Sequence, residues 1–341
     1  MKKKIIGIII VVVFTVITVY LLANSKEIAE FPELVKRLEI KFLYIAISLM
    51  LLYLVINSTI IYIIGKEISK EITFMKSVYL SFVGQYYSLI TPFAAGGQPA
   101  QIIAMKTRYN IPISVGTTIT VKKFLIFQVV VSLYAISMFF TKIHFIMNKY
   151  SGLIVFIVIG LSVNLIGGVL IILLSYSKTV VVKILDFIIL IANKLHLGKR
   201  IKRDSIIEHI DDYVKNIEEI KNNKKTMLTL IVMTFIQLTI YFSITYFIYL
   251  SLGSTGANYI DILGIQTIVY VVVSFIPTPG GAGASEGSFY LLFKVFFSRD
   301  VLLYAMALWR IITYYGNMIF SGLILLLVRI FGYFKKKKKY A

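Results

Sequence analysis

Two cations, Lys123 and Arg310, one carboxylate, Glu286, and two runs rich in glycine and proline are the positions in this chain whose residue types could bind a charged group. Lys123 lies about ten residues into the apolar stretch that opens at Ile113, and Arg310 about ten past Asp300. Ten helical residues rise about 15 Å, which puts both cations near the middle of a hydrocarbon core about 30 Å thick. Unpaired, each costs roughly 2.5–3.5 kcal/mol there on insertion scales. A phosphate would neutralise them well, and an arginine offers it a bidentate fork. Lys123 shares a helical face with Thr120 and Gly116, and Arg310 with Thr313 and Asn317, so two polar stripes run inward. Lys122 points about 100° away from Lys123 and either snorkels or pairs elsewhere. Glu286 has several open roles: a helix-capping carboxylate, a partner for Arg310, a proton carrier, or the contact for a headgroup amine.

The runs "TPFAAGGQPAQ" (Thr91 to Gln101) and "PTPGGAGASEG" (Pro277 to Gly287) interrupt apolar stretches. Irregular backbone at membrane depth must be buried in protein or line a wet cavity, because unsatisfied N–H and C=O groups are costly in hydrocarbon. Pro92, Pro277 and Pro279 stop the incoming helices, while Gly96, Gly97, Gly280, Gly281 and Gly283 allow tight or left-handed backbone. The helix that restarts near Ser285 then points free N–H groups inward, an arrangement that attracts anions. Gln98 and Gln101, flanking Pro99, offer amide donors and acceptors at the places matched by Ser285 and Ser288. Gln237 with Tyr241, Asn164 and Asn57 read as interhelical hydrogen bonds.

The elements that must position these residues are helices in a membrane. Of 341 residues, 58% are hydrophobic, and no polar stretch is long enough for a separate soluble domain. The fold class is an all-α integral membrane protein: one membrane domain, residues 1–341, with six full spans and two re-entrant broken-helix hairpins in inverted repeats. The spans are expected near Ile5–Ala23, Phe42–Ile64, Ile113–Phe140, Ser151–Leu174, Met227–Leu252 and Val301–Phe331. Ile5–Ala23 is read as a retained span rather than a signal peptide, being longer than a usual signal core. The hairpins are expected within Ser77–Pro112 and Tyr259–Phe297. With hairpins that return to their own side, most of the 36 Lys and Arg residues fall on the cytoplasmic face, where both termini lie. Residues 178–225 read as cytoplasmic interfacial helices, and residues 332–341 as a basic tail; both meet anionic lipids. The net charge of +20 is thus a matter of topology and lipid, not nucleic acid. There is no cysteine, the three histidines lack metal-ligand spacing, and no nucleotide-binding motif appears, so no metal or cofactor is expected.

Sliding the chain by 187 residues lays Thr91-Pro92 on Thr278-Pro279, Gly96 on Gly283, and Lys123 on Arg310. Repeat A covers about 42–141 and repeat B about 227–331. The first hairpin would enter from the cytoplasm and the second from outside. Inverted repeats of this kind build alternating-access transporters whose sites lie at interrupted helices.

"TPFAAGGQPAQIIAMKTRYNIP" followed by "PTPGGAGASEGSF" resembles the lysylphosphatidylglycerol synthase transmembrane-region family, also described as flippase-like. The resemblance covers nearly the whole chain. It is closest in the second run, in the proline, the paired glycines and Glu286; in the first, many relatives carry Glu followed by Arg where this chain has Gln98 and Gln101. It implies a translocase of a phospholipid, such as aminoacylated phosphatidylglycerol, across the bacterial plasma membrane, and a part in antimicrobial peptide resistance. Larger members continue into an aminoacyl-transferase domain, for which no residues are expected here, so a separate synthase could be a partner. The rival readings are a lipid-modifying membrane enzyme or a subunit of one, for which a lysyltransferase label would stand, and a scaffold whose hairpins are purely structural.

Overall fold

The structure, a computed structural model, describes residues 38–176, 179, 182, 183, 223–274, 276 and 278–339. The expected span Ile5–Ala23, nearly all of the 178–225 segment, and Pro277 lie outside the described residues. Those described form α-helices with no β-strand. Five helical stretches are long and apolar enough to cross a membrane: Ile40–Ile68, Ile113–Thr141, Ile143–Leu170, Lys224–Ser251 and Val301–Ile330. The chain is thus a multi-pass, all-α membrane protein.

The first half comprises α1 (Ile40–Ile68), α2 (Phe74–Leu89), α3 (Gly97–Tyr109) and α4 (Ile113–Thr141). Short α5 (Ile143–Tyr150) and a single 3₁₀ turn then lead into α6 (Ile154–Tyr176). The second half comprises α7 (Lys224–Ser251), α8 (Tyr259–Val273), α9 (Ala284–Phe293), α10 (Arg299–Arg310) and α11 (Gly316–Lys339). Local signals set several boundaries. The side chains of Thr73, Asn223 and Asn258 cap α2, α7 and α8 by accepting from backbone N–H groups in the first turn. Left-handed Asn110, φ 57°, closes α3 just ahead of Pro112.

Helices α1 and α7 run antiparallel down the centre: Glu39 N–H donates to Ser251 O at 2.8 Å, while Tyr53 meets Tyr241 at 5.2 Å between ring centres. The halves also exchange contacts. The incoming helix of the first hairpin, α2, packs on α11 through Phe82 and Phe320, with Tyr86 against Gly322. Its counterpart α8 packs on α4 through Tyr270 and Phe127. Large apolar residues such as Tyr44, Phe156, Leu170 and Leu323 remain exposed on outer faces, as expected where lipid is the solvent.

Each hairpin bends through the same turn. Ala94 N–H donates to Thr91 O and Ala95 N–H to Pro92 O; Gly281 N–H donates to Thr278 O and Ala282 N–H to Pro279 O. Left-handed backbone falls at Phe93 and Ala94 in one tip, φ 55° and 53°, and at Gly280 and Gly281 in the other, φ 58° and 64°. Every one of these pairs is 187 residues apart. The tips touch, Pro92 and Pro279 forming an isolated antiparallel β-bridge. A residue that bridges to its own counterpart lies on a two-fold axis.

Candidate functional site

The second tip carries the charged constellation. Gly280 and Gly281 turn the chain with left-handed backbone, and neither position has room for a side chain: a Cβ on Gly280 would lie 1.8 Å from the Tyr314 ring, and one on Gly281 2.3 Å from Val273. Left-handed Gly283, φ 83°, then caps α9, which starts at Ala284. Glu286 sits in the first turn, and its Oε2 accepts from Gly283 N–H at 2.7 Å. Its other oxygen faces Arg310, with Nε 2.8 Å from Oε1. That contact is off-line, an ion pair rather than an aligned hydrogen bond. Glu286 is therefore both helix cap and arginine partner, two of the roles its position allows.

Arg310, 4% exposed, also donates from Nη1 to Gly280 O at 3.1 Å, and its guanidinium lies 4.1 Å from the centre of the Tyr314 ring. Nη2 is buried without a hydrogen-bond partner, as are Nδ2 of Asn317 and Nε1 of Trp309. Three buried donors with spare capacity follow one another along this helix, and a buried donor left unmade is expensive. Thr313 spends its hydroxyl on Trp309 O, and Asn317 Oδ1 accepts from Ser321.

The helix widens at this point into a π turn, Ile311–Tyr315, with Gly316 N–H reaching Ile311 O. A Cβ on Gly316 would lie 2.6 Å from that oxygen, so glycine permits the turn. Such bulges are frequent at functional sites. Tyr314, on the bulge, stacks on Arg310 and donates from its hydroxyl to Leu89 O, tying the charged site to the first hairpin. Sequence reasoning passed over Tyr314 and expected one uniform span from Val301. The available signals were the aromatic four residues after Arg310 and the glycine at 316.

The remaining expected site residues divide. Gln101 is buried and donates to Leu80 O at 2.8 Å, binding α3 to α2 rather than facing a cavity. Gly97 lets the same helices close, since a Cβ would lie 2.1 Å from Ser88 Oγ. Gly96 donates its N–H to Thr91 Oγ1. Ser285 is buried beside Gly281, its hydroxyl 3.5 Å from Gly280 O. Gln98 is partly buried and makes no hydrogen bond among the described residues. Lys122 pairs with Glu67 on α1, away from the tips. Lys123 is partly buried and has neither ion pair nor hydrogen bond among the described residues. Arg310 is thus not the unpaired cation that its sequence position suggested; Lys123 is. No cluster of potential metal ligands occurs among the described residues.

The sequence profile described as "Lysylphosphatidylglycerol synthase TM region" matches residues 5–321. The chain belongs to that family. A "UPF0104 membrane protein" from Archaeoglobus fulgidus is 24% identical over 269 residues, 76% of this chain and 78% of the relative. Membership in the lysylphosphatidylglycerol synthase transmembrane-region family makes this a membrane protein of lipid metabolism.

Proposed function

We propose that this protein is a phospholipid translocase, moving a phosphate-bearing lipid between leaflets through a site at the joined hairpin tips. The observation that carries this reading is the Glu286–Arg310 pair at the N-terminus of α9, with buried Nη2 unsatisfied. A helix N-terminus and a guanidinium with a spare donor suit a phosphate oxygen. An incoming phosphate would share Arg310 with Glu286, while the acyl chains stay in lipid. The family's name makes lysylphosphatidylglycerol one headgroup to test.

The surroundings of the tips support alternating access. Pro92, Phe93, Ala94 and Ala95 are exposed, while their counterparts Pro279, Gly281 and Ala282 are buried. Two tips of one backbone geometry in two environments are what inverted repeats adopt when a carrier is open to one side. The second hairpin is also tied down by Lys142–Asp261 at 2.7 Å and by Tyr150 hydroxyl to Leu292 O. Phe74 stands where Asp261 has its counterpart, so the first hairpin lacks the equivalent ion pair. Reconstitution tests the reading: purified protein should speed leaflet exchange of labelled phospholipids in liposomes at least tenfold over empty vesicles. Equal rates across several headgroups would put the enzyme and scaffold readings ahead.

A further inference from the structure

Three basic residues, Lys122, Lys123 and Arg310, lie on the helices that flank the tips, and two are already neutralised. Lys122 pairs with Glu67 and Arg310 with Glu286. Lys123 has no acid beside it among the described residues. The repeat explains why: the position 187 residues before Glu286 is Pro99, so the first tip lacks the carboxylate that serves Arg310. Helical register fixes the depth of Lys123. Gly116 of α4 packs against Ile102 of α3, and the two helices run antiparallel from the turn at Asn110–Pro112. Seven residues further along α4, Lys123 is level with residues 95–96, the exposed first tip and the start of α3. The open side of the site therefore carries one uncompensated positive charge.

We propose that Lys123 selects the cargo by charge: the translocated headgroup is a phosphodiester with net charge minus one and no compensating amine. This rests on reading the protein as a phospholipid translocase, and it narrows that reading against aminoacylated headgroups. A lipid with one negative charge leaves Lys123 neutralised and the Glu286–Arg310 pair intact. A zwitterionic lipid leaves one charge in excess, and a lysylated headgroup of net charge plus one leaves two. Both are costly where water is scarce.

The test uses three labelled lipids with identical acyl chains: phosphatidylglycerol (charge minus one), phosphatidylethanolamine (zero) and lysylphosphatidylglycerol (plus one). In liposomes, exchange should be at least tenfold faster for phosphatidylglycerol than for lysylphosphatidylglycerol. Lys123→Gln should erase the preference and Lys123→Glu reverse it. Lys123 has no partner to strand, so both variants should melt within a few degrees of the parent. Lysylphosphatidylglycerol exchanging as fast as phosphatidylglycerol, or a preference that survives Lys123→Gln, overturns the proposal. Absence of exchange with every lipid would sink the translocase reading alone. The charge proposal is then read from binding, by native mass spectrometry of the detergent-solubilised protein with the three lipids at equal concentration. An excess of bound phosphatidylglycerol that Lys123→Gln abolishes supports it, and equal occupancy overturns it.

Discussion

At the scale of single residues, Arg310 is the most constrained group in the molecule. Its charge is held by Glu286, one N–H by the Gly280 carbonyl, and its face by Tyr314. Removing one member of a buried ion pair typically costs about 3–5 kcal/mol, because the other charge is left unpaired. Glu286→Gln should therefore lower the melting temperature of the purified protein markedly. Replacing both, as Glu286→Gln with Arg310→Gln, should recover part of the loss, and a double-mutant cycle of thermal melts measures the coupling. Additive losses would mean that the pair contributes nothing as a pair. Gly280→Ala meets two separate penalties, a left-handed φ of 58° and a Cβ placed 1.8 Å from Tyr314. A loss of about 2–4 kcal/mol follows from the strain and overpacking together. Tyr314→Ala should rescue part of it in Gly280→Ala by removing the clash and leaving the strain.

At the scale of elements, the hairpins decide the architecture, and much of their design was legible. Thr-Pro followed by paired small residues marked both tips, and the 187-residue offset that aligned them also aligns their turns and left-handed residues. Helix length and hydropathy placed the long spans because the hydrocarbon core sets both. The π turn was not legible from periodicity, since a local widening leaves the apolar pattern on either side intact. The fate of Gln101 was hidden for another reason. An amide beside a helix break has the same composition whether it faces a cavity or, as here, a carbonyl of the neighbouring helix. Pairing was equally invisible: Lys122 and Lys123 are adjacent in sequence, and only packing gives one of them Glu67. The unequal exposure of the tips yields its own prediction. The chain has no cysteine, so single replacements report directly. In liposomes, Ala94→Cys should react readily with a membrane-impermeant thiol reagent applied from one side, and Ala282→Cys should be protected. Equal labelling of both from that side would contradict the asymmetry.

At the scale of the whole molecule, the antiparallel α1–α7 core, the exchanged α2–α11 and α8–α4 contacts, and the Pro92–Pro279 bridge relate the halves about one axis. On the proposed reading, lipid crosses because the tips part on one side and then on the other, which requires the bridge to open. The tips are within reach of a covalent link, because bridged residues have Cα atoms about 4.5–5.5 Å apart, a separation that a disulfide spans. The most direct test is leaflet exchange by Pro92→Cys with Pro279→Cys protein in liposomes, measured before and after reduction. Exchange abolished in the oxidised protein and restored by reductant is the predicted result. Undiminished exchange from fully cross-linked protein would contradict the account.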